Sequence, residues 1–335
     1  MTEKRIYRLQ EGDTDKSIAQ KLGISEYELQ QFHNANSSLQ DRIPYNGLIP
    51  KHLKEIVVPM LLENTHLSEE RPELGSQNRF ECDFRVLDHD YGVVIHVGDD
   101  NTTTRINYTV SIKCVKEFEY IYTLVLDKRQ TYVNNAEPDL MVESLADVLG
   151  RSLFPIKVKI GREGWINRIT NHDTIRERWY EEEVKIRKYF KSDIAKHYID
   201  KTGRAYQDNR SINRALSREF FFALYFSGLY GKYFDSMEID NTLRLPLFPF
   251  VKGIRFEVKQ SLIPYLNINN NVLMLQQGEV GDPRTIEDIR QGKDFHYYES
   301  ASLNGNVDIE YEFCRHTHVI KSIVGEVNLS AEDKT

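Results

Sequence analysis

The chain has little cysteine. Its three thiols, Cys82, Cys114 and Cys314, lie far apart in 335 residues and in strand-like runs, an odd number that does not suggest a disulfide framework and fits a reducing compartment. A long apolar run is also missing. The most apolar window, Phe220 to Tyr230 (FFFALYFSGLY), is much shorter than the roughly 20 residues a helix needs to cross a bilayer, so it reads as a buried helix and no membrane span is expected. Positive charge is not in excess. A net charge of -7 with both signs interspersed gives no basic stripe to neutralise phosphates, so nucleic acid is not an expected partner. No apolar segment follows the start MTEKRIYRL, so no secretory leader is seen and the cytoplasm is the expected location, with delivery to the periplasm or outside requiring a non-classical route. Neither Gly161–Gly164 nor Gly278–Gly281 has the strand-to-helix context or the Lys-Ser/Thr tail of a phosphate-cradling loop, and both read as hairpin turns.

What is present is enough for more than one core. With 40% hydrophobic and 28% charged residues over this length, a small domain followed by a larger one is expected. The first 59 residues read as strand, helix, helix, strand. Residues 6 to 10 alternate, Glu11-Gly12 break the strand, Thr14 can cap a helix carrying Ile18, Ala19 and Leu22, and Gly23 ends it. Ser25 and Glu28 form a capping box for a second helix with Leu29 and Phe32 on its apolar face, which stops near Asn34. Ile56-Val57-Val58-Pro59 supplies a second strand able to pair with the first.

This order, together with YRLQEGDT (7–14), SIA (17–19), LGIS leading to LQQF (29–32), and IVVP (56–59), resembles the LysM family over Arg5 to Pro59. That family is a βααβ module that binds polymers of N-acetylglucosamine such as peptidoglycan and chitin. The sequence departs from the family pattern at Asp15, at His33-Asn34 and in LIPKHLKE before the last strand. The resemblance implies a shallow groove between the first strand-helix loop and the second helix-strand loop, where backbone amides and carbonyls meet N-acetyl groups. By position it assigns glycan contacts to Glu11, Gly12, Asp13 and Thr14 in the first loop, and to His33 and Asn34 at the start of the second.

Beyond Pro59 the composition shifts. Residues 63–78 are polar and turn-rich and read as a linker, so the expected domains are a LysM-like module over 1–62, the linker, and an α+β domain over 79–335. Within that domain, 79–135 is strand-rich, 139–235 helical and 250–330 strand-rich. An antiparallel meander is expected first. Asp139 caps a helix through Leu140, Val142, Leu145 and Leu149 that Gly150 ends; one helix spans Asp173 to Lys201 with Ile175, Trp179, Ile186, Phe190, Ile194 and Tyr198 buried; another runs from Ser211 to about Phe234. One curved sheet built from both strand groups and wrapped on these helices is the expected arrangement.

Catalytic residues are not evident. A cysteine hydrolase needs a thiol at a helix start beside a histidine, and all three cysteines sit in strand runs. Glu181-Glu182-Glu183 reads as the wet face of a helix and selects no carboxylate pair. Strand alternation places Cys314, His316 and His318 on one face as metal-ligand candidates, but Asp308, Glu310 and Glu312 share that face, which therefore reads as the solvated side of a half-buried strand. No cofactor is implied. Phe295, His296, Tyr297 and Tyr298 would suit a sugar-stacking surface; like Trp165 and Trp179, they read first as core or cross-strand aromatics. Two functions follow. The chain is a non-catalytic binding protein tethered to peptidoglycan or a chitin-like glycan, or it is an intracellular structural or cargo-adaptor part of a contractile injection machine, type VI secretion or phage-tail-like. In the second case the LysM-like module, of a kind that also occurs in those assemblies, is expected to dock protein components.

Overall fold

The structure is a computed structural model that describes residues 4–10, 12–22, 24–44, 48–59, 70–75, 78–98, 102–138, 141–232, 237–248, 251–267, 269–297 and 301–331. The first 59 residues form β1 (Lys4–Arg8), α1 (Asp15–Leu22), α2 (Glu26–Asn36) and β2 (Glu55–Pro59), with β1 and β2 antiparallel from Lys4↔Pro59 to Arg8↔Glu55. The caps are those the sequence expects. Ser17 N donates to Thr14 Oγ1 at 3.1 Å, Glu28 N to Ser25 Oγ at 3.1 Å, and Ser25 N to Glu28 Oε2 at 2.7 Å. Ile18, Ala19, Leu22, Leu29, Ile43, Ile56 and Val58 close the small core.

Next comes a meander, β3 (Asp88–Gly98), β4 (Thr103–Phe118), β5 (Ile121–Val133), β6 (Ile156–Ile160) and β7 (Ile166–Ile169), paired in chain order. α3 (Met141–Arg151) lies between β5 and β6, and α4 (His172–Tyr189), α5 (Asp193–Tyr206), α6 (Asn209–Leu216) and α7 (Phe220–Tyr225) follow β7. The expected long helix is broken. Phe190 turns extended, and Ser192 accepts from Ala195 N at 3.2 Å and starts a new helix, so Ile175, Trp179, Ile186 and Phe190 are buried while Ile194 and Tyr198 are exposed. The expected Ser211–Phe234 helix is likewise split at Ser217–Glu219, and Gly150 lies inside α3 instead of ending it. Asp139 and Leu140, and the Val142 side chain, are outside the described residues.

The last group is β8 (Glu238–Leu245), β9 (Ile254–Leu262), β10 (Asn271–Val280), α8 (Ile286–Arg290), β11 (Leu303–Cys314) and β12 (Ile320–Ala331), a second five-stranded sheet in the order β12-β11-β10-β9-β8. The architecture is α+β, with two separate large antiparallel sheets where one curved sheet was expected. Its compact units are also cut differently from the expected 1–62, 63–78 and 79–335: one comprises residues 1–82 with 232–335, the other 83–231.

The first unit is one body because the βααβ module packs on a face of the β8–β12 sheet. Tyr27 of α2 sits against Ile263, Leu273 and Leu275, and Arg42 reaches Glu312 and Ser322. The described part of the expected linker is fixed too. Leu266 N donates to the Glu70 carbonyl at 2.9 Å and Arg315 pairs with Glu70 at 2.6 Å; just past the linker, the Phe80 ring lies edge-on to Phe313.

In the second unit, Trp179 is core as expected, edge-on to Tyr206, but Trp165 is 47% exposed and lies over Gly228. Gly228 has φ +73°, and a Cβ there would fall 2.1 Å from the Trp165 ring, so both backbone and space demand glycine. Gly228→Ala is predicted to cost roughly 1–2 kcal/mol for the left-handed backbone plus the displacement of the ring. In a Trp165→Ala background only the backbone part remains. Urea denaturation of the four proteins checks this; equal losses in both backgrounds would contradict the seating of the ring.

Candidate functional site

The two loops that the LysM resemblance singles out are built very differently. In the first, Asp13 is turned inward: its Oδ2 accepts from Gln10 N at 2.8 Å and Tyr7 OH at 3.1 Å, and its Oδ1 from Lys21 Nζ at 2.7 Å. Those bonds hold its carboxyl below the usual range, with Lys21 the largest cause. Thr14 is occupied in capping α1. Gly12 is left at the tip with φ +87° and nothing within 4 Å of where a Cβ would lie, so the loop offers backbone to solvent while its side chains serve its own shape. Glu11 lies outside the described residues.

At the second loop, His33 and Asn34 are clamps. Val57 N donates to His33 Nδ1 at 2.9 Å, which fixes the tautomer, so Nε2–H donates to the Asp41 carbonyl at 2.8 Å. Burial lowers the pKa of this ring, against the pull of Asp41, and it is neutral at pH 7. Asn34 Nδ2 donates to the Ile43 carbonyl at 2.9 Å and its Oδ1 accepts from Ile43 N at 2.7 Å, imitating a strand partner. Both side chains thus have their hydrogen bonds inside the module, and the loop presents Leu48, 67% exposed, with Ile49 and Pro50 half-buried beside it. A cleft of about 230 Å³ lies along β2, lined by Ile6, His33, Ser37, Asp41, Leu53, Glu55, Ile56 and Val57. Of the six assigned residues, the structure leaves Gly12 with an open face and uses Asp13, Thr14, His33 and Asn34 to position the loops.

The acidic face of β11 overturns a sequence expectation. Asp308, Glu310 and Glu312 are buried, because the face they share is covered by the module and by neighbouring strands. Glu312 accepts from Asn271 Nδ2 at 2.7 Å, Asn267 Nδ2 and Ser322 Oγ at 3.0 Å, and Arg42 Nη1 at 3.3 Å. Burial raises its pKa, and these donors outweigh that and hold it below the usual range. Asp308, with one bond from Gln277 Nε2 at 2.9 Å, is pushed up by burial. Glu310 is pushed to about 7, by burial first and by Glu312 and Asp308, with Arg42 opposing. Beside it is a cavity of about 10 Å³ lined by Asn34, Arg42, Ile43, Pro44, Asp308, Glu310 and Val324, the room one water needs. Sequence reasoning missed Arg42 and Tyr27. The available signal was three acids alternating on one strand with an apolar opposite face, a pattern that alternation alone assigns to solvent.

Cys314, His316 and His318 do not share a strand face. β11 ends at Cys314, and residues 315–317 form a turn that His318 N closes onto the Cys314 carbonyl. His318 Nδ1 meets the Glu81 carbonyl at 2.6 Å and its ring packs on Phe80, while His316 is turned to Glu73 at 3.7 Å. Among the described residues no group of three or more His, Cys, Asp or Glu is arranged to hold a metal, and no helix is long and apolar enough to cross a membrane. The aromatic run after α8 is surface, where core was expected. Phe295 and Tyr297 are 62% and 65% exposed, and His296 Nδ1 meets buried Asp288, which also accepts from Thr285 N and Tyr297 N. Tyr298 lies outside the described residues. Comparison with protein-family models, with curated proteins and with solved structures finds no match to the chain.

The raised Glu310 pKa fixes a pH dependence. An unfolded carboxyl loses its proton near 4.5 and the folded one near 7, so this group's contribution is full below 4.5, falls as pH rises to about 7, and is flat above. That interval corresponds to about 3 kcal/mol. Glu310→Gln is predicted to gain stability relative to wild type as pH rises from about 4.5 to about 7, with no further gain above, measured by urea unfolding at each pH. Parallel curves for the two proteins would show that Glu310 ionises as freely folded as unfolded.

Proposed function

We propose that the chain is a non-catalytic binding protein whose N-terminal module, LysM-like, attaches to peptidoglycan or another N-acetylglucosamine-containing glycan and carries the remaining residues as an interaction domain. One observation supports this most. The contacts that dock the module on the sheet use Tyr27, Arg42 and Pro44, and leave the tips of both groove loops, at Gly12 and Leu48, exposed. A backbone-lined tip with its side chains turned inward suits N-acetyl groups, which need one amide donor and one carbonyl acceptor and no charge.

A second reading is favoured by the docking itself. A module fixed by a buried ion pair, instead of hanging on a free linker, suits an intracellular structural or cargo-adaptor component of a contractile injection machine, type VI secretion or phage-tail-like, where relative geometry matters. The first reading places the chain at the cell wall, the second in the cytoplasm.

Co-sedimentation with insoluble peptidoglycan separates the two. Wild type is predicted to pellet, and Gly12→Asn with Leu48→Lys to bind weaker by roughly tenfold or more, about 1.4 kcal/mol. Asparagine tolerates the positive φ, so the fold is retained while the open face is filled. Wild type remaining in the supernatant would overturn the glycan reading and leave the module as a protein-docking unit.

A further inference from the structure

The outer edge of β3 is the least protected sheet edge among the described residues. β3 ends the order β3-β4-β5-β6-β7 and pairs with β4 without a register shift from Asp88↔Lys113 to Gly98↔Thr103. Edges are normally guarded by shortness, bulges, proline or charge. β7 is four residues long; β8 carries Glu238, Asp240 and Arg244; β12 carries Lys321 and Glu326, and its register against β11 shifts. β3 has eleven residues, DHDYGVVIHVG, no proline, no lysine or arginine, and its two acids at one end.

The ladder says which groups this edge offers. Cys114 N donates to the Leu87 carbonyl at 2.7 Å, so Leu87 and each second residue after it turn their amides and carbonyls toward β4. The even-numbered residues Asp88, Asp90, Gly92, Val94, His96 and Gly98 therefore turn theirs outward. The Arg105 carbonyl, on the residue opposite His96, accepts from Asn134 on the far side of β4, as that alternation requires.

We propose that β3 pairs antiparallel with β3 of a second copy of this chain about a two-fold axis at Val93, joining two meanders into one continuous sheet. The sequence is self-complementary in that register. Asp88 faces Gly98, Asp90 faces His96 twice, Tyr91 faces Ile95 twice, and Val93 faces itself, so the outward-turned residues from Asp90 to His96 gain partners, while the Asp88 amide already donates to His89 Nδ1 at 3.2 Å. Moving the register two residues either way shortens the ladder and sets Asp90 opposite Val94 or Gly98. One face is already partly apolar and covered: Tyr91, Val93 and Ile95 are half-buried, with Tyr91 packed on Phe221 and Tyr225 of α7. A second copy extends that covered face across the axis.

Cross-linking and mass test this independently of glycan binding. In the full chain with Cys82, Cys114 and Cys314 changed to serine, Val93→Cys is expected to form a covalent dimer on mild oxidation, because a central non-hydrogen-bonded pair lies about 4.5 Å apart between Cα atoms. Val94→Cys faces Gly92 of the other copy and is expected to stay uncross-linked. By sedimentation equilibrium the native chain is expected to have the mass of two chains, and Val94→Pro the mass of one, since that proline removes an N–H at the free edge and none from the β4 ladder. A native chain that stays monomeric, a dimer that survives Val94→Pro, or equal cross-linking at both positions would overturn the pairing. Should Val94→Pro fail to fold, the contrast between the two cysteine variants still decides.

Discussion

The buried carboxylate of Glu312 is the constraint on which the first compact unit depends. Its four donors come from the β9–β10 turn and β10, from β12, and from Arg42 in the N-terminal module, 270 positions away. A carboxylate and a guanidinium taken out of water lose hydration worth several kcal/mol each, so the pair persists only where the remaining lone pairs and protons are answered. Asn267, Asn271 and Ser322 answer the carboxylate, and Ser322 also accepts from Arg42 Nη1, while Arg42 Nε is buried without a partner. With Arg42 paired there, the segment after it, Ile43-Pro44, is held against the acidic row. Ile43 is in turn clamped by Asn34. The orientation of α2 and the start of the second loop thus follow from one buried ion pair.

Local structure in the βααβ module was legible because its signals are local. The Thr14 cap, the Ser25–Glu28 box and the apolar positions Ile18, Leu22, Leu29 and Phe32 all act within a few residues. Most strands of the two large sheets were visible for the same reason, as β-branched runs broken by turn residues; β8 was not, because its run EIDNTLRL carries acids, an asparagine and an arginine and few β-branched residues. Helix boundaries were less so: nothing in the periodicity of Asp173 to Lys201 marks the turn at Phe190, which is set by the Ser192 cap. The separation into two sheets was not legible, although each sheet pairs only consecutive strands, because no local signal says whether two groups of strands share an edge; the docking of the module was not legible because it joins residues as far apart as Arg42 and Glu312. The acidic row shows how such a reading fails. Alternation tells which residues share a face, and only tertiary packing tells whether that face is wet; Asp308, Glu310 and Glu312 lie under the module.

The candidate site divides in the same way. The structure gives most of the residues singled out by the resemblance shaping roles: Asp13 orders the first loop, Thr14 caps, and His33 and Asn34 tie the second loop to α2. On the proposed glycan reading, contact falls to the exposed backbone at Gly12 and to Leu48, features that a list of chemically reactive side chains does not reveal. The acid of α8 is likewise occupied locally: Asp288 accepts from Thr285 N and Tyr297 N and meets His296 Nδ1.

The central claim is that module and sheet form one cooperative body through Arg42. Native-state amide hydrogen exchange on the intact chain tests it most directly, comparing α2 and β2 with β10 and β11. The account predicts that both sets open with the same free energy, and that Arg42→Ala separates them, lowering the module's opening energy while the central strands keep more of theirs. Module amides that exchange at a much lower free energy than the sheet in the native chain, unchanged by Arg42→Ala, would contradict it.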